Sequence, residues 1–183
     1  EFNPRQFDPV PWAEAARDAG MRYVVFTTKH HDGFCMFDTQ YTDYKITDEG
    51  CLFSADPRAN VTKEIFSAFR EEGLWTGAYF SKPDWHSEYY WWPYFATPDR
   101  NVNYSVEKYP ERWEKFVEFT HNQILELMTD YGQVDILWLD GGWVDGKNQK
   151  QDVRMPELVR RAREKQPGLI VVDRAVPGPH QNY

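Results

Sequence analysis

The chain has 183 residues, 41% of them hydrophobic and 27% charged, a balance that supports one globular core and argues against a disordered segment. The formal net charge is −8, which argues against a surface that tracks nucleic-acid phosphates but suits a neutral ligand or a cation-like transition state. Aromatic residues make up 17%, with 8 Trp, 11 Tyr and 12 Phe, an excess that fits stacking surfaces as well as a large core.

One pattern repeats along the chain. Residues 12–19 have helical periodicity, stop at Gly20, and lead into an apolar run over 23–28. Residues 61–72 and Gly73 precede a second run over 75–80. Residues 107–131 and Gly132 precede a third over 134–139, and residues 153–166 with Pro167-Gly168 precede a fourth over 169–172. A glycine just past each helix is the expected stop, and Asp8 with Pro9, Asn60 and Asp152 are suitable N-caps. In the third helix Trp113, Phe116, Val117, Thr120, Ile124, Leu127, Met128 and Tyr131 fall on one stripe.

Helices alternating with apolar strands predict an α/β fold with a parallel sheet. Four such units make about half of a (β/α)₈ barrel, which usually needs about 250 residues. A small doubly wound sheet fits the length better, but no Gly-rich phosphate loop follows the first strand. Loops before the strands are short, whereas residues 29–59 and 81–106 are long and rich in Asp, His, Tyr and Trp. Long loops inside a compact domain are usually functional, which places the working face at the strand C-termini.

The third run, Val134-Asp135-Ile136-Leu137-Trp138-Leu139-Asp140-Gly141-Gly142-Trp143, is the most informative. Alternation puts Ile136, Trp138 and Asp140 on one face and Leu137 and Leu139 on the other. An ionised Asp beside an indole offers an oxyanion and a flat apolar wall, which a sugar site requires; a loop or helix cap is the plainer alternative. Tyr79 shares a face with Trp75 and Gly77 and reaches an equivalent tip. His30 and His31 leave the first strand before Asp32, one placed to bond ligand hydroxyls and the other to be held by Asp32. A metal site is the competing reading, although no second His pair or Cys cluster supplies the spacing. The aromatic segment Tyr89-Tyr90-Trp91-Trp92-Pro93-Tyr94-Phe95 either stacks on a sugar or covers the barrel rim, and rim packing is the leading expectation. Arg174 is placed to orient a carboxylate or to bind a substrate hydroxyl, and Asp173 is either a second carboxylate or half of a structural ion pair with Arg174. Cys35 and Cys51 are expected to be free thiols.

The blocks Lys29-His30-His31-Asp32-Gly33-Phe34-Cys35, Tyr79-Phe80-Ser81 with Asp84-Trp85-His86, and Leu137-Trp138-Leu139-Asp140-Gly141-Gly142-Trp143 resemble the retaining α-L-fucosidases of glycoside hydrolase family 29. The resemblance runs in order over essentially the whole chain. It implies a (β/α)₈ TIM-like barrel, of which residues 1–183 form a partial catalytic domain truncated at both ends. It implies hydrolysis of terminal α-linked L-fucose with retention, with Asp140 as nucleophile. His30 and His31 would hold fucose hydroxyls, Tyr79 would approach the nucleophile and ring oxygen, and Trp138, Trp143 and Arg174 would line the pocket. No cofactor and no metal is implied. The family's acid/base Glu falls just beyond the last residue, so these residues alone are expected to be inactive.

The expected partner is a fucosylated glycan, with no nucleic acid and no membrane, and the rest of the catalytic domain is needed to close the barrel. The family's usual places are secreted, periplasmic or lysosomal, although no signal peptide opens this stretch. A metal-dependent barrel hydrolase and a non-catalytic carbohydrate-binding module are the alternative readings.

Overall fold

The computed structural model describes residues 2–97, 99–174 and 176–182. Its elements run α1 (Val10–Asp18), β1 (Tyr23–Lys29), α2 (Val61–Glu71), β2 (Trp75–Ser81), α3 (Pro110–Asp130), β3 (Ile136–Asp140), α4 (Met155–Lys165) and β4 (Ile170–Asp173). The four strands form one sheet in the order β1-β2-β3-β4, each neighbour parallel. A doubly wound sheet reverses its strand order, and this one does not. A sequential parallel order with same-handed crossovers puts every connecting helix on one face, as in a barrel wall.

The two faces differ accordingly. Ala78, Phe80, Leu137, Leu139 and Val171 point to the helices and are fully buried. The opposite, concave face carries Tyr23, Val25, Trp75, Ile136, Trp138, Ile170 and Val172 around an open apolar hollow of about 420 Å³. Tyr23 and Trp75 on this face are each 54% exposed. The fold is therefore a four-unit part of a (β/α) barrel with its interior uncovered.

Three of the four expected glycine stops, Gly20, Gly73 and Gly132, adopt left-handed backbone, where only glycine avoids a Cβ penalty. Gly168 does not, because α4 already ends at Lys165 with Gln166 as its C-cap, ahead of Pro167. Asn60 caps α2 by accepting from the Lys63 amide. Asp8 accepts from the Val10 amide at the start of α1, although Pro9 is the capping position. The expected cap of α4 is corrected. Arg154, not Asp152, is its capping residue, with φ 51°, and Asp152 instead accepts from the Arg154 amide to close the turn before the helix. Helix α3 starts at Pro110 rather than 107 because proline at the first position has no amide to leave unpaired. Both cysteines are free, and burial pushes the Cys35 thiol up to about 12.

Candidate active site

Three strand tips converge at the C-terminal edge of the sheet. Register pairs Tyr79 with Trp138 and Ser81 with Asp140, so Tyr79, Trp138 and Asp140 share the concave face. The Tyr79 hydroxyl donates to Asp140 Oδ2 at 2.7 Å, and the Gly141 amide donates to Oδ1 at 2.7 Å. Arg174, immediately after β4, brings Nη1 to 3.3 Å from both carboxylate oxygens. Its backbone amide donates to the Leu139 carbonyl, which ties the arginine to the strand that carries Asp140.

The electrostatics follow from these partners. Burial by itself raises the Asp140 carboxyl, but the Tyr79 hydroxyl, the Gly141 amide, Arg174 and His31 outweigh it and hold the group below the ordinary carboxylate range. Burial, reinforced by the bond to Asp140, pushes the Tyr79 phenol up to about 12. At neutral pH Asp140 is ionised and Tyr79 keeps the proton it donates. The tip thus presents an oxyanion with its geometry fixed by three donors, on the same face of the sheet as Trp138.

His30 and His31 enter the same space from the end of β1. Their rings lie 4.2 Å apart, and His30 stacks on Tyr79 at 6.0 Å. Asp32 does not hold a histidine: it accepts from the Phe34 amide in its own turn. His31 is instead lodged between Trp143, edge-on at 5.0 Å, and Trp85 at 5.4 Å. The backbone carbonyl of His31 accepts from the Trp85 amide, which joins the β1 and β2 loops. Burial and the neighbouring His30 lower the His31 pKa, so the ring is neutral near pH 7. Its Nδ1 is buried and unpartnered among the described residues, a polar atom turned toward no protein group.

Trp143 is fixed by its indole N–H, which donates to the Arg100 carbonyl at 3.0 Å, and by the Arg100 guanidinium 4.6 Å over its ring. The 89–95 segment packs as expected. Tyr90 is fully buried against Phe116, and Trp92 sits edge-on to Tyr94, Phe95, Tyr104 and Tyr109. All seven residues singled out in the sequence, His30, His31, Tyr79, Trp138, Asp140, Trp143 and Arg174, therefore lie at or beside one end of the sheet. Among the described residues no three of His, Cys, Asp and Glu converge as a metal site would require.

Two buried lysines were not foreseen. Lys29 Nζ bonds Asp84 at 2.9 Å and Gln123 at 3.0 Å, and Lys82 Nζ bonds Asp173 at 2.7 Å. The sequence carries one signal for them: a lysine that ends an apolar strand must reach solvent or a buried acid. Asp173 is thereby an ion-pair residue on the helix side, and its partner is Lys82 rather than Arg174.

The sequence pattern that defines the family described as alpha-L-fucosidase matches residues 1–183. The chain belongs to the alpha-L-fucosidase family. It is 32% identical over 150 residues to alpha-L-fucosidase 1 of Arabidopsis thaliana, covering 82% of this chain and 25% of that protein. It is 29% identical over 142 residues to human plasma alpha-L-fucosidase, covering 76% of this chain and 26% of that protein. Among solved structures, alpha-L-fucosidase isoenzyme 1 from Paenibacillus thiaminolyticus matches with TM-score 0.74 and 38% identity, over 93% of this chain and 39% of that one. A GH29 alpha-L-fucosidase from Bacteroides thetaiotaomicron, trapped as a covalent intermediate in complex with 2-fluoro-fucosyl fluoride, matches with TM-score 0.73 and 29% identity. The match covers 92% of this chain and 35% of that one. The chain spans about a quarter of the length of the curated relatives it matches.

Proposed function

We propose that this chain supplies the nucleophile side of a retaining α-L-fucosidase site. Asp140 attacks the anomeric carbon of a terminal α-linked L-fucose, the bond to the aglycone oxygen breaks as an acid protonates that oxygen, and a covalent fucosyl-enzyme forms. Water then releases fucose with its configuration retained. The observation that carries this reading is the Asp140 carboxylate, kept ionised at an inward strand tip by Tyr79, Gly141 and Arg174. Family membership and the trapped covalent intermediate of the Bacteroides relative support it.

The other residues have complementary roles in the proposal. His30 and His31, at the end of β1, bond fucose hydroxyls. Trp138 and Trp143 form apolar walls, and the protonated Tyr79 hydroxyl steers Asp140 while facing the ring oxygen. A retaining pair needs its acid/base carboxyl only about 5–5.5 Å from the nucleophile, and residues following this stretch are expected to bring it. The remaining barrel would also cover the hollow that exposes Tyr23 and Trp75. These 183 residues alone are therefore expected not to turn over substrate.

The test uses the full-length protein. It should hydrolyse an aryl α-L-fucoside, and 2-fluoro-fucosyl fluoride should add one 2-fluoro-fucosyl group, with loss of the anomeric fluoride, that peptide mass spectrometry places on Asp140. No turnover, or a label on another residue, overturns the assignment.

A further inference from the structure

We infer that Lys82, Asp173 and His180 form a buried strap across the outer side of the β3 tip and act as positioning residues for the groups that hold Asp140. The inference rests on Asp140 being the reacting carboxylate.

Lys82 follows β2 and Asp173 ends β4, so the pair spans from one neighbour of β3 to the other. Register pairs Asp173 with Leu139, which puts its side chain on the helix face, opposite the Asp140 carboxylate. Both side chains are wholly buried, and Nζ lies 2.7 Å from Oδ1. His180 Nε2 meets the other oxygen, Oδ2, at 2.9 Å, and the Asp173 amide donates to the Gln181 side chain at 2.9 Å. Among the described residues, the side chains bonded to Asp173 are Lys82 from the β2 exit, and His180 and Gln181 from the segment after β4.

Each end of the strap connects to a contact on Asp140. The Lys82 amide donates to the Asp140 carbonyl at 2.9 Å. Pro83, the next residue, abuts Gly141 so closely that a Cβ there would come within 2.4 Å of the proline ring. Gly141 has φ 87° and supplies the amide that donates to Asp140 Oδ1. On the same strand exit, Ser81 donates to the Tyr79 hydroxyl, which in turn donates to Asp140. At the other end, Asp173 immediately precedes Arg174. Tyr79, the Gly141 amide and Arg174 thus all depend on backbone that the strap fixes.

Stability does not explain such a device. Two charges taken out of water give back in mutual attraction about what desolvation costs, and a well-packed apolar pair often replaces them without loss. The ion pair does supply a defined distance between two strand tips, which apolar packing specifies less closely.

The experiment uses the full-length protein and an aryl α-L-fucoside, with kcat and KM measured across pH. The double variant K82M/D173L removes both charges together and should fold, with a melting temperature lowered by the buried His180 ring that loses its partner. Its kcat should fall about 10- to 100-fold, the scale of a small misplacement at a reacting centre. KM should change little, because His30 and His31 stand on the β1 loop. The acidic limb of kcat/KM should move to higher pH as the donors shift away from Asp140. A folded double variant with parental kcat and an unmoved acidic limb overturns the inference. If the double variant does not fold, H180A carries the test at the outer end of the strap, and parental kcat and acidic limb in that variant overturn it equally. Parental turnover is the control: its absence sinks the fucosidase reading, whereas its presence with insensitive variants sinks only the strap.

Discussion

Asp140 and Asp173 end adjacent parallel strands, each after an apolar run, yet their environments are opposite. Asp140 meets a phenol, a backbone amide and a guanidinium, and its side chain keeps 12% of its surface exposed. Asp173 meets a buried ammonium and an imidazole, and its side chain has no exposed surface. The difference comes from register. Leu139, not Asp140, is opposite Asp173, so the two carboxylates point to opposite faces of the sheet. A one-residue offset at a strand end decides whether an acid faces the concave side of the sheet or the helix layer.

Four measurements on the full-length protein would sharpen or break this contrast. Asp140→Ala should lower kcat by about 10⁴-fold, or ~5.4 kcal/mol of transition-state stabilisation, with external azide restoring part of the turnover as a β-fucosyl azide. Near-parental activity would remove Asp140 from the chemistry. Asp173→Leu by itself should show the reverse emphasis. It leaves the Lys82 charge buried without a partner, and chemical denaturation should report a loss of about 3–5 kcal/mol. A loss below experimental error would mean that Lys82 reaches water.

Tyr79→Phe removes a hydrogen bond to a charged acceptor, worth about 1.5–3 kcal/mol. The Asp140 pKa lies below its unfolded value, so its stabilising contribution is present above the ordinary carboxylate range and is lost as pH falls through the depressed value. Without Tyr79 that depression shrinks. The acidic limb of kcat/KM should therefore move to higher pH, and an unmoved limb would show that Gly141 and Arg174 suffice. The smallest effect is expected at the histidines. His30→Phe or His31→Phe should weaken binding of L-fucose or a fucose-like iminosugar by about 1–3 kcal/mol, the cost of a hydroxyl left unpaired. Calorimetry showing parental affinity in both variants would leave them as scaffold.

Much of the fold is legible in the sequence. The four helix-strand units, the three left-handed glycine stops and the buried stripe of α3 all appear in the sequence, because periodicity and turn chemistry are local. Alternation also put Trp138 and Asp140 on one face and Leu137 and Leu139 on the other, as the burial of the two leucines shows. The start of α4 was misplaced because Asp152 closes a turn of its own, two residues before the cap. Asp32 was expected to hold a histidine, but its own turn claims it, and the two tryptophans lodge His31 instead.

The sequence by itself determined the order of elements, the choice of working face and the residues offered to it, since each depends on spacing within one segment. Only the tertiary structure decided which of two strand-end acids is closed into a buried ion pair and that no strand order reverses. Only it showed that buried lysines tie the strand exits together. Lys82 and Asp173 are 91 positions apart. No local pattern encodes such a partnership, because a buried charge selects its counter-charge through folding, when desolvation makes an unpaired one too costly to keep.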